Sequence, residues 1–75
     1  MPKRGDLETT GRVIEIPGGG RYRVQITHEE IEDWVVVCYL AGKMKMHKIN
    51  VLVGDKVKVV IPPPYEIGRI TFREK

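Results

Sequence analysis

The chain has 75 residues, a net charge of +3 and one cysteine, Cys38. That length supports one hydrophobic core, near the size at which a domain without staples is marginal, roughly 60 to 80 residues. A lone cysteine excludes an internal disulfide, and with His28 and His47 far apart there is no zinc-ligand spacing.

A reduced compartment, the cytoplasm, is therefore expected, with no metal or other cofactor. No apolar run approaches the ~20 residues that span a bilayer, so no membrane association is expected. Met1 to Asp6 is charged and is not followed by a signal-type apolar stretch. Residues 1–5 read as a flexible tail on a single domain covering 1–75.

Along the chain, strand signals dominate. Arg12-Val13-Ile14-Glu15-Ile16 is rich in β-branched residues and is stopped by Pro17-Gly18-Gly19-Gly20, a turn. The next run alternates, with Tyr22, Val24 and Ile26 on one face and Arg21, Arg23 and Gln25 on the other. Glu29, Glu30, Glu32 and Asp33 then crowd into one loop, four of the ten acidic residues, which leaves the remaining surface more basic than the total charge suggests. That favours an anionic partner such as nucleic acid, beside the plainer reading of a mixed-charge solvated surface.

Trp34 to Leu40 is a continuous apolar run of strand length, so both of its faces are expected to be covered, or it turns a barrel corner. Ala41 to His47 changes to small, Met and Lys residues, and a short helical turn is expected after Gly42. Gly54-Asp55 forms a turn before a strand in which Val57, Val59 and Ile61 alternate with Lys56, Lys58 and Val60. Pro62-Pro63-Pro64 must be a loop. A last strand, near Arg69 to Arg73, sets Ile70 and Phe72 opposite Arg69, Thr71 and Arg73. Five short strands with a helical insert between the third and fourth predict an all-β, five-stranded closed barrel of the OB type, and the insert argues against an SH3-like barrel.

No catalytic constellation is visible. The chain has no serine, Cys38 lies in the most apolar run, where a thiol is ordinarily a small core residue, and the glycine run lacks the helix a phosphate cradle needs. No enzymatic activity is expected. What remains is basic surface: Arg12, Arg21, Arg23, Lys58, Arg69 and Arg73 on strands, and Lys43, Lys45 and Lys48 around the insert. Each alone reads as a solvated side chain; as a set on an OB barrel they suit phosphate binding without sequence readout. Tyr22 and Phe72 alternate with charged residues and read as core, Trp34 as a plug at a barrel end, and Tyr65 as the candidate exposed ring. So few stacking rings speak against a single-strand gripper and for docking on already folded RNA.

Gly42-Lys43-Met44-Lys45, then Ile49, then Val53-Gly54-Asp55-Lys56-Val57, resembles the Gly-Lys-Met-Arg…Ile…Gly-Asp-Lys-Val core of bacterial translation initiation factor one. Pro64-Tyr65 and Gly68-Arg69-Ile70-Thr71-Phe72-Arg73 resemble that family's ending, and Gly11, Val13-Ile14-Glu15 and Tyr22-Arg23-Val24 its first hairpin. The resemblance covers nearly the whole chain. It implies a monomeric factor in the A site of the small ribosomal subunit, against decoding-centre RNA and a neighbouring ribosomal protein. There it would block premature tRNA entry and support the other two initiation factors. The alternatives are a free-standing RNA chaperone on the same fold and, from another class, a protein-interaction barrel with the acidic loop as its epitope. The resemblance also implies rRNA contacts at Arg23, Lys43, Met44, Lys45, Lys48, Tyr65, Arg69 and Arg73. Lys45 stands where the family usually has Arg, which keeps the charge but loses bidentate geometry. Lys48 stands where an aromatic is common, and Met46, His47 and Asn50 replace residues that are often basic or polar. The acidic loop, longer than the family's, would be repelled by RNA and is expected to face solvent or a protein.

Overall fold

In the computed structural model, which describes residues 5–74, the elements are β1 (Leu7–Gly18), β2 (Arg21–Thr27), β3 (Val35–Leu40), α1 (Gly42–Met46), β4 (Lys56–Ile61) and β5 (Ile67–Glu74). The strands close in the order β1-β2-β3-β5-β4. Neighbours run antiparallel except β3 and β5, which are parallel. This is the expected five-stranded OB barrel with its insert between the third and fourth strands. Of the tail expected over 1–5, residues 1–4 lie outside the described residues, while the Gly5 carbonyl accepts a 2.8 Å hydrogen bond from the Tyr65 hydroxyl.

β2 follows its pattern: Val24 and Ile26 are buried, Tyr22 is half-buried, and Arg21, Arg23 and Gln25 are exposed. β1 is longer than Arg12–Ile16. It begins at Leu7, runs through Pro17 and pairs with β2 on one side and β4 on the other. Register shifts between Val13 and Glu15 and between Glu15 and Gly18 let it bend around the barrel. Pro17 lies inside the second shift, where the missing N–H breaks no ladder bond. The reversal needs only Gly19 and Gly20, both at positive φ as a two-residue hairpin turn requires.

β3 buries one face rather than two. Val36 and Cys38 are inside, while Val35 and Val37 are partly covered and Tyr39 is exposed. Burial pushes the Cys38 thiol up to about 12, as suits a core residue. Gly68, on β5 opposite Cys38, permits the close parallel approach of the two strands: a Cβ there would sit 2.9 Å from Cys38 Sγ and 3.2 Å from Ile61 Cγ1.

β5 departs from its expected facing. Lys58 pairs with Phe72 but Val59 with Ile70, so Thr71 is an extra residue in a bulge. That single insertion breaks the period of two and turns Phe72 outward, 52% exposed, with Lys58 Nζ 5.6 Å from its ring centroid. Phe72 is therefore not core. The core draws instead on every element, with Val13, Val24, Val36, Met44, Val59 and Ile70 all in one cluster.

Candidate nucleic-acid interface

β3 leads from the acidic loop at one end of the barrel to α1 at the other. Its six residues cover roughly 20 Å at ~3.3 Å each. The two ends differ in charge.

At the far end of β3, α1 carries Lys43 and Lys45 on its exposed side and Met44 on its buried side. Met44 is 1% exposed and belongs to the core, so it anchors the insert and its side chain is not on the surface, where the resemblance had implied a contact. α1 has only five residues, too few to hold its shape by helix propensity, and its stability must come from that anchor and from its ends. The C-terminal end is closed by two backbone bonds. Lys48 N–H donates to the Lys45 carbonyl at 3.1 Å, and Ile49 N–H to the Met44 carbonyl at 3.3 Å. This is the Schellman arrangement, with Lys48 at the left-handed position (φ 51°) that glycine ordinarily fills. Half-buried Ile49 packs against the core behind it.

Arg73, near the end of β5, reaches the same region and donates to the Asn50 carbonyl at 2.5 Å, bracing the segment that follows α1. Arg21 starts β2 beside the Gly19-Gly20 turn at this end, its Nε donating to the Gly18 carbonyl at 3.2 Å. Lys43, Lys45 and Lys48 are exposed, and none of them ion-pairs with a described carboxylate. Five cations thus share one end of the barrel. Arg21 is legible in the sequence as an exposed base, but no motif marks it for this group.

The other expected contacts lie elsewhere. Arg69 projects from the outer face of β5, level with Tyr39 of β3 and Val60 of β4. Arg23 projects from β2 and forms an exposed ion pair with Glu15 at 3.0 Å, worth at most about 1 kcal/mol and so easily exchanged. Tyr65 sits at the opposite end from α1, at φ 69° in a turn closed by its N–H to the Pro62 carbonyl at 2.8 Å. Its neighbours there are Gly5, Leu7, Ile31 and Trp34, which fits the end-plug role read for Trp34 and separates Tyr65 from the lysines.

Comparison with known proteins agrees with this fold. No family model matches the chain. It is 42% identical over its full length to the translation initiation factor IF-1 of Solibacter usitatus, which it also covers completely. Among solved structures it is similar to translation initiation factor one from the Wolbachia endosymbiont of Brugia malayi, with a TM-score of 0.73 and 25% identity, covering 96% of this chain and 82% of that one. It also superposes on part of YloQ, a circularly permuted GTPase, with a TM-score of 0.78 and 25% identity, covering all of this chain but 25% of that one. A similar partial match to YjeQ from Thermotoga maritima, at 23% identity, reflects the barrel alone.

Proposed function

Because this chain belongs to the translation initiation factor IF-1 family, we propose that it acts in initiation by docking the basic end of its barrel against ribosomal RNA in the A site of the small subunit. The carrying observation is that Lys43, Lys45 and Lys48 stand exposed and without described acidic partners on an insert that Met44 fastens to the core. A backbone already fastened to the core needs no further ordering on binding, so only the lysine side chains lose freedom and more of their attraction to phosphate appears as affinity. Arg73 and Arg21 extend the same surface, while Arg23 and Arg69 offer contacts along the barrel wall. Occupying the site would exclude tRNA by bulk and by charge neutralisation, without any chemical step. The same position would bring the factor beside a neighbouring ribosomal protein and the other two initiation factors.

Co-sedimentation with small subunits over a salt series tests this. Lys43→Glu with Lys45→Glu should weaken binding at least tenfold and reduce the slope of log affinity against log salt by about 2, one per lost phosphate contact. Both side chains are exposed, so thermal unfolding should change little. An unchanged slope would remove the insert from the RNA surface.

A further inference from the structure

The end of the barrel opposite α1 carries the reverse chemistry. Leu7, Ile31, Trp34 and Tyr65 line an open apolar hollow of about 520 Å³, with Gly5 and Asp6 at its margin. That is room for one or two large side chains. Ile31 is 42% exposed although it stands at the mouth of the hollow and is held in place by a bridge to His28. Glu29, Glu30, Glu32 and Asp33 surround Ile31 in sequence; all are exposed, and none ion-pairs with a described cation. The hollow is therefore an apolar socket whose Ile31 wall belongs to a strongly acidic loop; Glu32 and Asp33 line the adjoining depression, which Arg12 also borders.

From this we infer that the socket is a docking site for a protein segment that inserts an apolar side chain and carries lysine or arginine beside it. Charge selects the class of partner. Four exposed carboxylates on one short loop, none in a described ion pair, outweigh the single Arg12 beside them, so they repel an RNA backbone and an anionic lipid surface alike and attract a basic polypeptide. The apolar floor supplies what charge alone does not, an anchor whose burial removes both Trp34 and the incoming side chain from water. The two ends of the barrel then have separate tasks: the lysine end meets RNA and the acidic end meets protein. This division rests on the ribosomal docking proposed above.

Photocrosslinking on small subunits tests the two claims separately. A p-benzoyl-phenylalanine is placed at Ile31 in one full-length variant, and at Met46, 79% exposed beside the lysines, in another. Each variant is first checked for co-sedimentation and then irradiated. The expected result is that position 31 crosslinks to a protein segment rich in lysine and arginine, while position 46 crosslinks to RNA. Adding Glu29→Lys, Glu30→Lys and Glu32→Lys should lower the protein crosslink at least tenfold and leave the RNA crosslink unchanged. Failure of both variants to co-sediment at low salt would overturn the ribosomal reading and this inference with it. Co-sedimentation with a crosslink from position 31 to RNA only, to a second copy of this chain, or to nothing would overturn the socket alone. So would a protein crosslink indifferent to the three charge reversals.

Discussion

Met44 separates two accounts of the insert. If it is a core anchor, truncation should act on stability; if it touches RNA, truncation should act on affinity. Met44→Ala removes Cγ, Sδ and Cε from a site that is 1% exposed. At ~0.8 kcal/mol per buried methylene-sized group the transfer cost is about 2.4 kcal/mol, and the residual cavity raises it to roughly 3 to 4 kcal/mol. In a domain of this size each kcal/mol moves the midpoint by about 4 to 8 °C, so Tm should fall by at least roughly 12 °C. Met44→Leu, close in volume, should cost less than about 1.5 kcal/mol. Thermal unfolding can be followed by circular dichroism and by Trp34, the single tryptophan. Subunit binding is measured well below both midpoints, where the leucine variant should bind within about twofold of the parent chain. A Met44→Ala midpoint within about 3 °C of the parent, less than one kcal/mol on that scale, would refute the anchor. So would a Met44→Leu variant as stable as the parent but with tenfold weaker binding.

Lys48→Gly should make stability and binding diverge. Glycine relieves the left-handed backbone at φ 51° and should stabilise the domain by up to about 1 kcal/mol, seen as a higher urea midpoint, while loss of the charge weakens subunit binding several-fold. Loss of both together would mean that the lysine side chain supports the turn. Gly68→Ala should destabilise by about 1 to 3 kcal/mol, because its Cβ would meet Cys38 Sγ at 2.9 Å. Adding Cys38→Ala should recover part of that loss, so the double variant is less destabilised than the sum of the single ones in urea unfolding. Simple additivity would place the strain elsewhere.

Much of the architecture can be read from residue order. Strict alternation at Tyr22, Val24 and Ile26 and again at Val57, Val59 and Ile61 leaves one choice of inward face, and the compositional change at Ala41 marks the insert. Bulges are the obstacle. One extra residue at Thr71 reverses the facing of everything after it, and no residue type announces it, so alternation alone puts Phe72 in the core. Pro17 misleads in the same way, since it ends a regular strand but is compatible with a bulged one. The basic cluster is only half legible. Lys43, Lys45 and Lys48 are neighbours in sequence, but Arg73 and Arg21 join them through barrel closure, and Tyr65 is carried to the other end by the same closure. Motif resemblance marks Met44 as an RNA contact, whereas its burial makes it core; the helical periodicity of so short an insert is too brief to show that in advance.

Closure has a further consequence for how the chain reaches this state. Leu7 pairs with Ile61, and Val37 pairs with Ile67, so the first strand waits for the fourth and the third for the fifth. No shorter set of strands makes a closed object, and the β1–β2 hairpin alone would expose Val13, Val24 and Ile26 to water. Folding must therefore proceed through distant contacts late in the process, in the slower range known for barrels, milliseconds to seconds. Until then β3, the most apolar strand, has an open edge and is the segment most prone to the wrong pairing; the parallel arrival of β5 removes that hazard.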